Sequence, residues 1–376
     1  MIEPVIAKYR KDAVFPNNPY INALPERLSN KAVKEALLYI PEISTRHMEL
    51  SLSERMSLSS LITQFYFPSD EIAEIYQTVY SALIDSYKGK GATVKNCCDE
   101  AGTSFSVTGP SGIGKTTAIK HILSLFPRVI KHPEGTPKQL VAYQITYIHI
   151  EMPPSASLKG LCIRILSEID EAIGESYLAE CTAKRYSGES MMPVIQKACK
   201  AYGVGIIIID EVQNIVGVRS EAAENILSFL TQLVNIAHTS ICFLGTLAAN
   251  KLFLRQLCIA RRADGVQLSP MAHGREFTLA VRAMWGLLVT SPSTILTQAL
   301  IDKLFDVSYG FIGRASSILR KTQEYLIVSG KDETITPEAI DFVVDRYFAN
   351  SGEYVNVMKS GKLAAPEGMS MRDLPE

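Results

Sequence analysis

A glycine-rich segment near residue 110 holds the residues of this chain that are best suited to chemistry. It contains a complete G-x-x-x-x-G-K-[ST] signature, which runs from Gly109 to Thr116. Glycines in such a segment let the backbone curl, so that its N–H groups point at phosphate oxygens. Lys115 would reach the β- and γ-phosphates of ATP, and the Thr116 hydroxyl would bind Mg²⁺. The predicted phosphate-binding residues are Gly109, Pro110, Ser111, Gly112, Ile113, Gly114, Lys115, Thr116 and Thr117.

The residues on either side favour a phosphate loop over a chance match. Residues 105–108 form a β-branched and aromatic run that predicts a buried strand. A helical pattern follows the signature, with apolar residues at Ile119, Ile122, Leu123 and Phe126. The N-terminus of that helix would add its dipole and its unpaired N–H groups to an anion site. The alternative is a glycine-rich strand–helix turn with a chance lysine.

An acidic pair, Asp210 and Glu211, ends a strongly apolar run. The isoleucines at 206–209 predict a central strand that is buried on both faces. Asp210 would then lie beside the phosphate loop and hold Mg²⁺, directly or through water. Glu211 would polarise the attacking water as a general base. The alternative is a solvated acidic pair after a strand.

Further polar positions would complete a catalytic site. Thr246 follows an apolar strand and would sense the γ-phosphate or position water, unless it only satisfies its own turn. Arg261 and Arg262 precede a predicted fifth strand. One of them would enter a neighbouring subunit's site and neutralise transition-state charge, or the pair is solvated at a helix C-terminus. Arg314 opens a later helix and would reach back to the γ-phosphate, or it lies on the surface.

Strand and helix patterns alternate around these residues. Strands are predicted near 104–108, 144–151, 204–209, 240–245 and 266–270, and helices near 115–126, 157–173, 190–201 and 221–237. This alternation predicts an α/β fold with a parallel sheet between helices. An amphipathic helix is predicted over 70–87, and after residue 270 helical patterns occur near 276–289, 294–308, 314–328 and 337–348. The expected domains are an N-terminal arm with helices (1–100), a nucleotide-binding core (101–270), a small helical lid (271–350) and a short tail (351–376).

Composition excludes some classes of function. The net charge is −1, so any contact with nucleic acid must come from a local basic patch. The cysteines number seven and form no C-x-x-C pair, which indicates reduced thiols in the cytoplasm rather than disulfides or a zinc site. The most apolar segment, 277–289, is short and contains Arg282, so we expect no membrane partner.

Together these features resemble the AAA+ ATPases: a phosphate loop, an acidic strand end, a polar residue after another strand, arginines before a fifth strand and a helical lid. Shorter motifs resemble, more narrowly, the TnsC/TniB family of transposition regulators. They are Asn18–Pro25, Val129–His132, Ser157–Cys162, Ile209–Gln213, Leu244–Thr246 and Ala260–Arg262. The resemblance covers about residues 17 to 350.

The resemblance implies a function that composition does not show. Such proteins bind ATP, assemble on double-stranded DNA as homo-oligomeric rings or helical filaments, and link a target-selection protein to the transposase. In relatives the segment after the second strand contacts the DNA backbone, which here points to Ser157 and Lys159. The basic loop with Lys184 and Arg185 is a second candidate for DNA contact. A solvated loop is the alternative for both segments.

Two other classes stay open. A replication initiator or loader of the AAA+ type is expected to carry a winged-helix domain after the lid, and about 25 residues after Asn350 are too few for one. A STAND-type signalling ATPase would bind nucleotide and protein but no DNA, and is expected to carry repeats, which the sequence lacks. DNA-stimulated ATPase activity would distinguish the second class.

Overall fold

The structure is a computed structural model that describes residues 2–43, 49–88, 90, 102–133, 142–218, 220–249, 263–290, 294–330 and 332–349. The chain divides into two compact units. The sheet unit comprises Met1–Leu37 and Pro68–Leu268, and the helical unit comprises Leu38–Phe67 and Ser269–Glu376. The predicted domain boundaries near residues 100, 270 and 350 stay predictions.

Strands and helices are numbered in chain order. The strands are β1 (Val5–Ile6), β2 (Ser104–Thr108), β3 (Val129–Lys131), β4 (Tyr143–Ile145), β5 (Tyr147–Glu151), β6 (Ile206–Asp210), β7 (Ser240–Gly245) and β8 (Ala263–Gln267). The helices are α1 (Pro19–Asn22), α2 (Asn30–Leu37), α3 (Leu52–Ser59), α4 (Asp70–Lys88), α5 (Lys115–Leu123), α6 (Leu158–Ile173), α7 (Tyr177–Ala183), α8 (Gly188–Ala201), α9 (Ser220–Ile236), α10 (Arg275–Trp285), α11 (Gln298–Ser308), α12 (Ile312–Ser329) and α13 (Pro337–Tyr347). Short 3-10 helices span Ser60–Gln64, Val212–Ile215 and Leu247–Ala249.

A parallel sheet forms the centre of the sheet unit. Five of the described strands lie in the order β5-β6-β7-β2-β8, and each neighbouring pair is parallel. The predicted α/β fold with a parallel sheet is therefore confirmed. Because the strands run in one direction, their carboxyl ends meet at one edge of the sheet. β7 lies between β2 and β6, so the residues that follow these three strands are neighbours.

Helices cover both faces of this sheet. On one face α4 packs across β2, β6, β7 and β8, with α5 beside it. On the other face α6, α8 and α9 form a core with the sheet, in which Ile207, Ile209 and Phe243 are buried. All four isoleucines of β6 are fully buried, as the lack of alternation in this strand predicted.

The amphipathic helix predicted over 70–87 is α4, and it packs closely on the sheet. Gly205, just before β6, lies at this contact. A Cβ there would lie 2.6 Å from the hydroxyl of Tyr87 and 2.7 Å from Leu83. Because glycine has no Cβ, α4 can pack closely against the central strands at this position.

The prediction of a single strand over 144–151 is wrong. This segment is two strands in different sheets: β4 pairs with β3 in the small sheet β1-β3-β4, and β5 belongs to the parallel sheet. The break lies at Thr146, whose N–H donates to the carbonyl of Arg128. Apolar residues continue through the break, so periodicity alone does not reveal it. β3 and α7 were not predicted at all.

The helical unit contains α3 and α10 to α13. Its core includes the fully buried side chains of Phe277, Leu304 and Ile318. α13 begins as the sequence predicts, because the Thr336 side chain accepts a hydrogen bond from a backbone N–H of the first turn and Pro337 occupies the first helical position. Among the described helices of the whole chain, none is long and apolar enough to cross a membrane.

Candidate nucleotide-binding site

The loop between β2 and α5 has the backbone conformation that a phosphate loop requires. Gly112 and Gly114 have φ angles of 76° and 96°, in the left-handed region that favours glycine. A Cβ at either position would meet no atom within 4 Å, so conformation rather than crowding demands glycine. At Gly109 crowding decides, because a Cβ would lie 2.7 Å from the carbonyl oxygen of Leu268, just after β8.

The N-terminus of α5 opens onto this loop. Its N-cap residue is Gly114, and no side chain among the described residues caps the helix. Ser111 and Thr117 are exposed, whereas Pro110 and Ile113 are half-buried. Unpaired N–H groups at a helix N-terminus, together with the helix dipole, form an anion site. The loop and helix therefore fit a polyphosphate.

Lys115 supplies the cation of this site. Its Nζ donates hydrogen bonds to the carbonyl oxygens of Gly109, at 3.1 Å, and Pro110, at 3.0 Å. Burial lowers the pKa of the Lys115 amine, while the charges of Glu211 and Asp210 oppose this shift. The amine thus rests on the loop that would bind the phosphates.

Thr116 and Asp210, the predicted Mg²⁺ ligands, are in direct contact. The Thr116 hydroxyl donates to Oδ2 of Asp210 at 2.6 Å, across 94 residues of sequence. Oδ1 of Asp210 accepts the N–H of Glu211 at 2.8 Å. Burial raises the pKa of Asp210, but the neighbouring His149 imidazole and the hydrogen bonds from Thr116 and the backbone outweigh it and lower the pKa. The carboxylate therefore stays ionised.

This donor set fits Mg²⁺. Hydroxyl and carboxylate oxygens are the hard ligands that Mg²⁺ prefers, and in nucleotide sites the ion takes only one or two protein ligands and completes its shell with phosphates and water. Thr116 and Asp210 would hold the ion here. When bound, Mg²⁺ would neutralise charge on the β- and γ-phosphates.

Glu211 and Thr246 are linked through a residue that the sequence reasoning missed. Glu211 has a φ of 56°, and its Oε2 accepts a hydrogen bond from Nε2 of Gln213. Oε1 of Gln213 accepts the N–H of Thr246 at 3.1 Å. Thr246 follows β7, which separates β2 from β6. The one available signal was an amide placed just after the acidic pair.

His149 on β5 was also missed. Its Nε2 lies 3.8 Å from Oδ2 of Asp210. That nitrogen is buried and has no hydrogen-bond partner within the described part of the chain. β5 is the neighbour of β6, and His149 is in register with Ile208, near the end of that strand. Only the strand order brings this histidine to the acidic pair, so no local pattern could have predicted it.

The two segments predicted to contact DNA lie together in the sheet unit. Lys159 is exposed in the first turn of α6, and Gly188, the first residue of α8, lies against its backbone. Lys184 and Arg185 are exposed just before α8. Ser157 is the N-cap of α6, and its hydroxyl accepts a backbone N–H at 3.1 Å. Gly188 follows Arg185 by three residues, so its contact with Lys159 brings the second segment near the first. The role of these residues toward DNA stays a prediction.

Arginines were predicted at three positions of the site. Arg314 belongs to the helical unit, where its Nε donates to the carbonyl of Val307 at 2.8 Å and its guanidinium lies over the rings of Tyr309 and Phe348. Burial lowers the pKa of this guanidinium. Its predicted contact with the γ-phosphate stays a prediction. The Arg261–Arg262 pair lies outside the described residues.

Comparison with known proteins bears on the part of the chain that holds this site. Residues 99–253 match the AAA domain family. The match includes the loop, the acidic pair and Thr246, and with the parallel sheet and the helical C-terminal part it confirms the predicted AAA+ P-loop architecture. The narrower resemblance to TnsC/TniB proteins stays a prediction. A comparison with curated proteins yields no match.

Similar solved structures come from several organisms. The Drosophila ORC bound to DNA is 13% identical, with a TM-score of 0.45 over 91% of this chain and 70% of that chain. The ORC2 protein of Aeropyrum pernix is 14% identical, with a TM-score of 0.48 over 73% of this chain and 66% of that chain. A Walker-type ATPase of Pyrococcus abyssi is 12% identical, with a TM-score of 0.45 over 68% of this chain and 71% of that chain. At these values the similarities carry no argument about function.

Proposed function

We propose that this protein binds ATP with Mg²⁺ and hydrolyses the γ-phosphate bond. The observation that carries the proposal is the 2.6 Å hydrogen bond between Thr116 and Asp210. A hydroxyl next to the phosphate-binding lysine and a carboxylate at a strand end are the protein ligands that P-loop enzymes offer to Mg²⁺. A chance glycine-rich turn would not bring these two side chains together from distant parts of the sequence.

The residues divide the reaction between them. Lys115 and the N-terminus of α5 hold the β- and γ-phosphates and offset their charge. Glu211 takes a proton from the attacking water as general base. Thr246 follows β7, the strand that lies between the strand before the loop and the strand before the acidic pair. It positions that water or contacts the γ-phosphate. Thr116 and Asp210 would hold the Mg²⁺ ion.

Duplex DNA would bind through the exposed cations Lys159, Lys184 and Arg185 and the adjoining Ser157. The support is the contact between Gly188 and the backbone of Lys159, which brings two basic segments near each other. With a net charge of −1, the chain would use such a local patch, and an oligomer would add the contacts of its subunits.

The biological role we propose is that of a TnsC/TniB-like regulator of DNA transposition in the cytoplasm. The protein would assemble as a homo-oligomer on duplex DNA and link a target-selection protein to the transposase. Arg261 or Arg262 of one subunit would complete the site of the next, and Arg314 would contact the γ-phosphate within a subunit. The support for this role is the resemblance of the short motifs.

ATP hydrolysis measured with and without random-sequence duplex DNA tests the proposal. Lys115→Ala is the control for contaminating ATPases. We expect an ATPase that requires Mg²⁺, is stimulated by duplex DNA and is absent from Lys115→Ala. Electron microscopy with DNA and a non-hydrolysable ATP analogue would detect the oligomer. If DNA does not change the ATPase rate, and the protein binds no duplex in any nucleotide state, the STAND-type switch is favoured instead.

A further inference from the structure

Gln213 joins the ends of two strands of the parallel sheet. Its Nε2 donates to the carboxylate of Glu211, after β6, and its Oε1 accepts the N–H of Thr246, after β7, at 3.1 Å. The amide also lies against Gly245, where a Cβ would come 2.9 Å from Oε1. Glycine at the end of β7 is therefore what lets the amide reach the backbone N–H.

The two groups next to this amide need opposite kinds of hydrogen-bond partner. The Glu211 carboxylate needs a hydrogen-bond donor, and the Thr246 N–H needs an acceptor. Glutamine supplies both from one planar group. Methionine, of similar length, supplies neither, and ionised glutamate supplies only the acceptor. These two neighbours also determine which end of the amide carries the oxygen.

The backbone of Glu211 is held in place independently. Its φ of 56° is unusual for a residue with a side chain. Its N–H donates to Asp210, and its carbonyl accepts the N–H of Asn214 at 3.0 Å. The Asn214 side chain in turn donates to the carbonyl of Met152 at 3.1 Å. With the main chain held in this way, the Gln213 amide is the hydrogen-bond partner that the described residues offer to the carboxylate.

We propose that Gln213 is a positioning residue that couples the γ-phosphate sensor to the general base. The inference rests on the proposed ATPase function. Thr246 would respond to the γ-phosphate or to the attacking water. A shift of its backbone N–H moves the Gln213 amide, and the amide moves the Glu211 carboxylate with it. The base is therefore aligned by the occupied site and not by its own rotamer preference.

Three substitutions separate the two hydrogen bonds. Gln213→Met removes both, and we expect kcat to fall about 10–100-fold while affinity for a non-hydrolysable ATP analogue changes less than about twofold. Gln213→Glu keeps the acceptor for Thr246 but lacks the donor for Glu211, so kcat should fall as far. Gln213→His has one donor and one acceptor nitrogen and should recover part of the rate. Should Gln213→Met not fold, the comparison of Gln213→Glu with Gln213→His tests the same point.

A double-mutant cycle tests whether Gln213 acts through Glu211. In a Glu211→Gln background, adding Gln213→Met should lower kcat by less than about twofold, because the group that it positions is already gone. Independent, multiplicative losses would overturn the coupling, and so would wild-type kcat in Gln213→Glu. These results differ from failure of the proposed function, in which the wild-type protein itself would show no ATPase activity.

Discussion

The backbone nitrogen of Lys159 lies directly against Gly188, so that a Cβ on this glycine would come 3.0 Å from it. Gly188 begins α8 and Lys159 lies in the first turn of α6, so the N-termini of two helices emerge side by side. Helix N-termini and exposed cations both attract phosphate groups. This surface is where we expect the DNA backbone to lie.

Alanine at Lys159 should weaken binding to duplexes of every sequence. Loss of one phosphate contact per subunit should also flatten the plot of log affinity against log salt concentration by about one unit of slope per subunit. The double substitution Lys184→Ala/Arg185→Ala should act in the same direction. Fluorescence anisotropy of labelled random duplexes across a salt series, with a non-hydrolysable ATP analogue, measures both quantities.

Lys200→Ala is the matched control for these variants. Lys200 is exposed near the far end of α8, about 18 Å along the helix from Gly188 at a rise of ~1.5 Å per residue. Lys200→Ala removes one positive charge, as Lys159→Ala does, but from the far end of the helix that begins at Gly188, so it should leave affinity and slope unchanged. Equal losses in Lys159→Ala and Lys200→Ala would indicate general electrostatics rather than this surface.

Lys115 and Glu211 should control different steps. Lys115→Ala removes the cation of the phosphate loop and should abolish ATP binding and, with it, assembly on DNA. Glu211→Gln keeps the loop but removes the base, so it should bind ATP, hydrolyse it about 10²–10⁴-fold more slowly and stay longer on DNA. Binding of a fluorescent nucleotide and ATPase rates distinguish the two. A wild-type rate in Glu211→Gln would remove this residue from the role of general base.

An arginine at 261 or 262 should act on a neighbouring subunit. Arginine fingers contribute about 10³–10⁵ in rate where they have been dissected, so Arg261→Ala/Arg262→Ala should lose most ATPase activity while still binding nucleotide. Mixing this variant with Glu211→Gln, which should bind ATP and assemble, brings an intact general base and intact arginines together in mixed oligomers. ATPase activity should partly return. A rate no greater than the sum of the separate proteins would argue against action between subunits.

His132 should make the stability of the protein depend on pH. Its Nδ1 lies 2.8 Å from the Tyr9 hydroxyl and its Nε2 lies 3.0 Å from Oε1 of Gln144, in a buried site near the N-terminal strand. Burial lowers the pKa of His132, and the hydrogen bond with Gln144 opposes this only in part. The folded state therefore favours the neutral imidazole.

The lowered pKa of His132 makes the folded protein more stable as the pH rises. Between the lowered folded pKa and the unfolded value of about 6.5, the unfolded chain binds more protons, so the contribution of His132 to the free energy of unfolding rises with pH. It is complete above about pH 6.5 and is lost below the folded pKa. Urea unfolding of wild type and His132→Gln at a series of pH values measures it. A difference between the two proteins that stays constant with pH would contradict the prediction.

The phosphate loop, the acidic strand end and the α/β class could be predicted from the amino-acid sequence. Those features are local: Gly112 and Gly114 need their own left-handed φ angles, and the isoleucines of β6 report burial on both faces without reference to any partner. The break at Thr146 between β4 and β5 could not be predicted, because hydrophobic periodicity does not indicate which sheet a strand joins.

Which side chains meet around that site depends on the order of the strands in the folded sheet. β7 lies between β2 and β6, and this strand order sets Thr246 where the Gln213 amide can join it to Glu211. The same order places His149 beside Asp210. These distances depend on which strands are neighbours. The order of the strands is set by the packing of the whole sheet against helices on both faces. A pattern within one segment contains no information about that order.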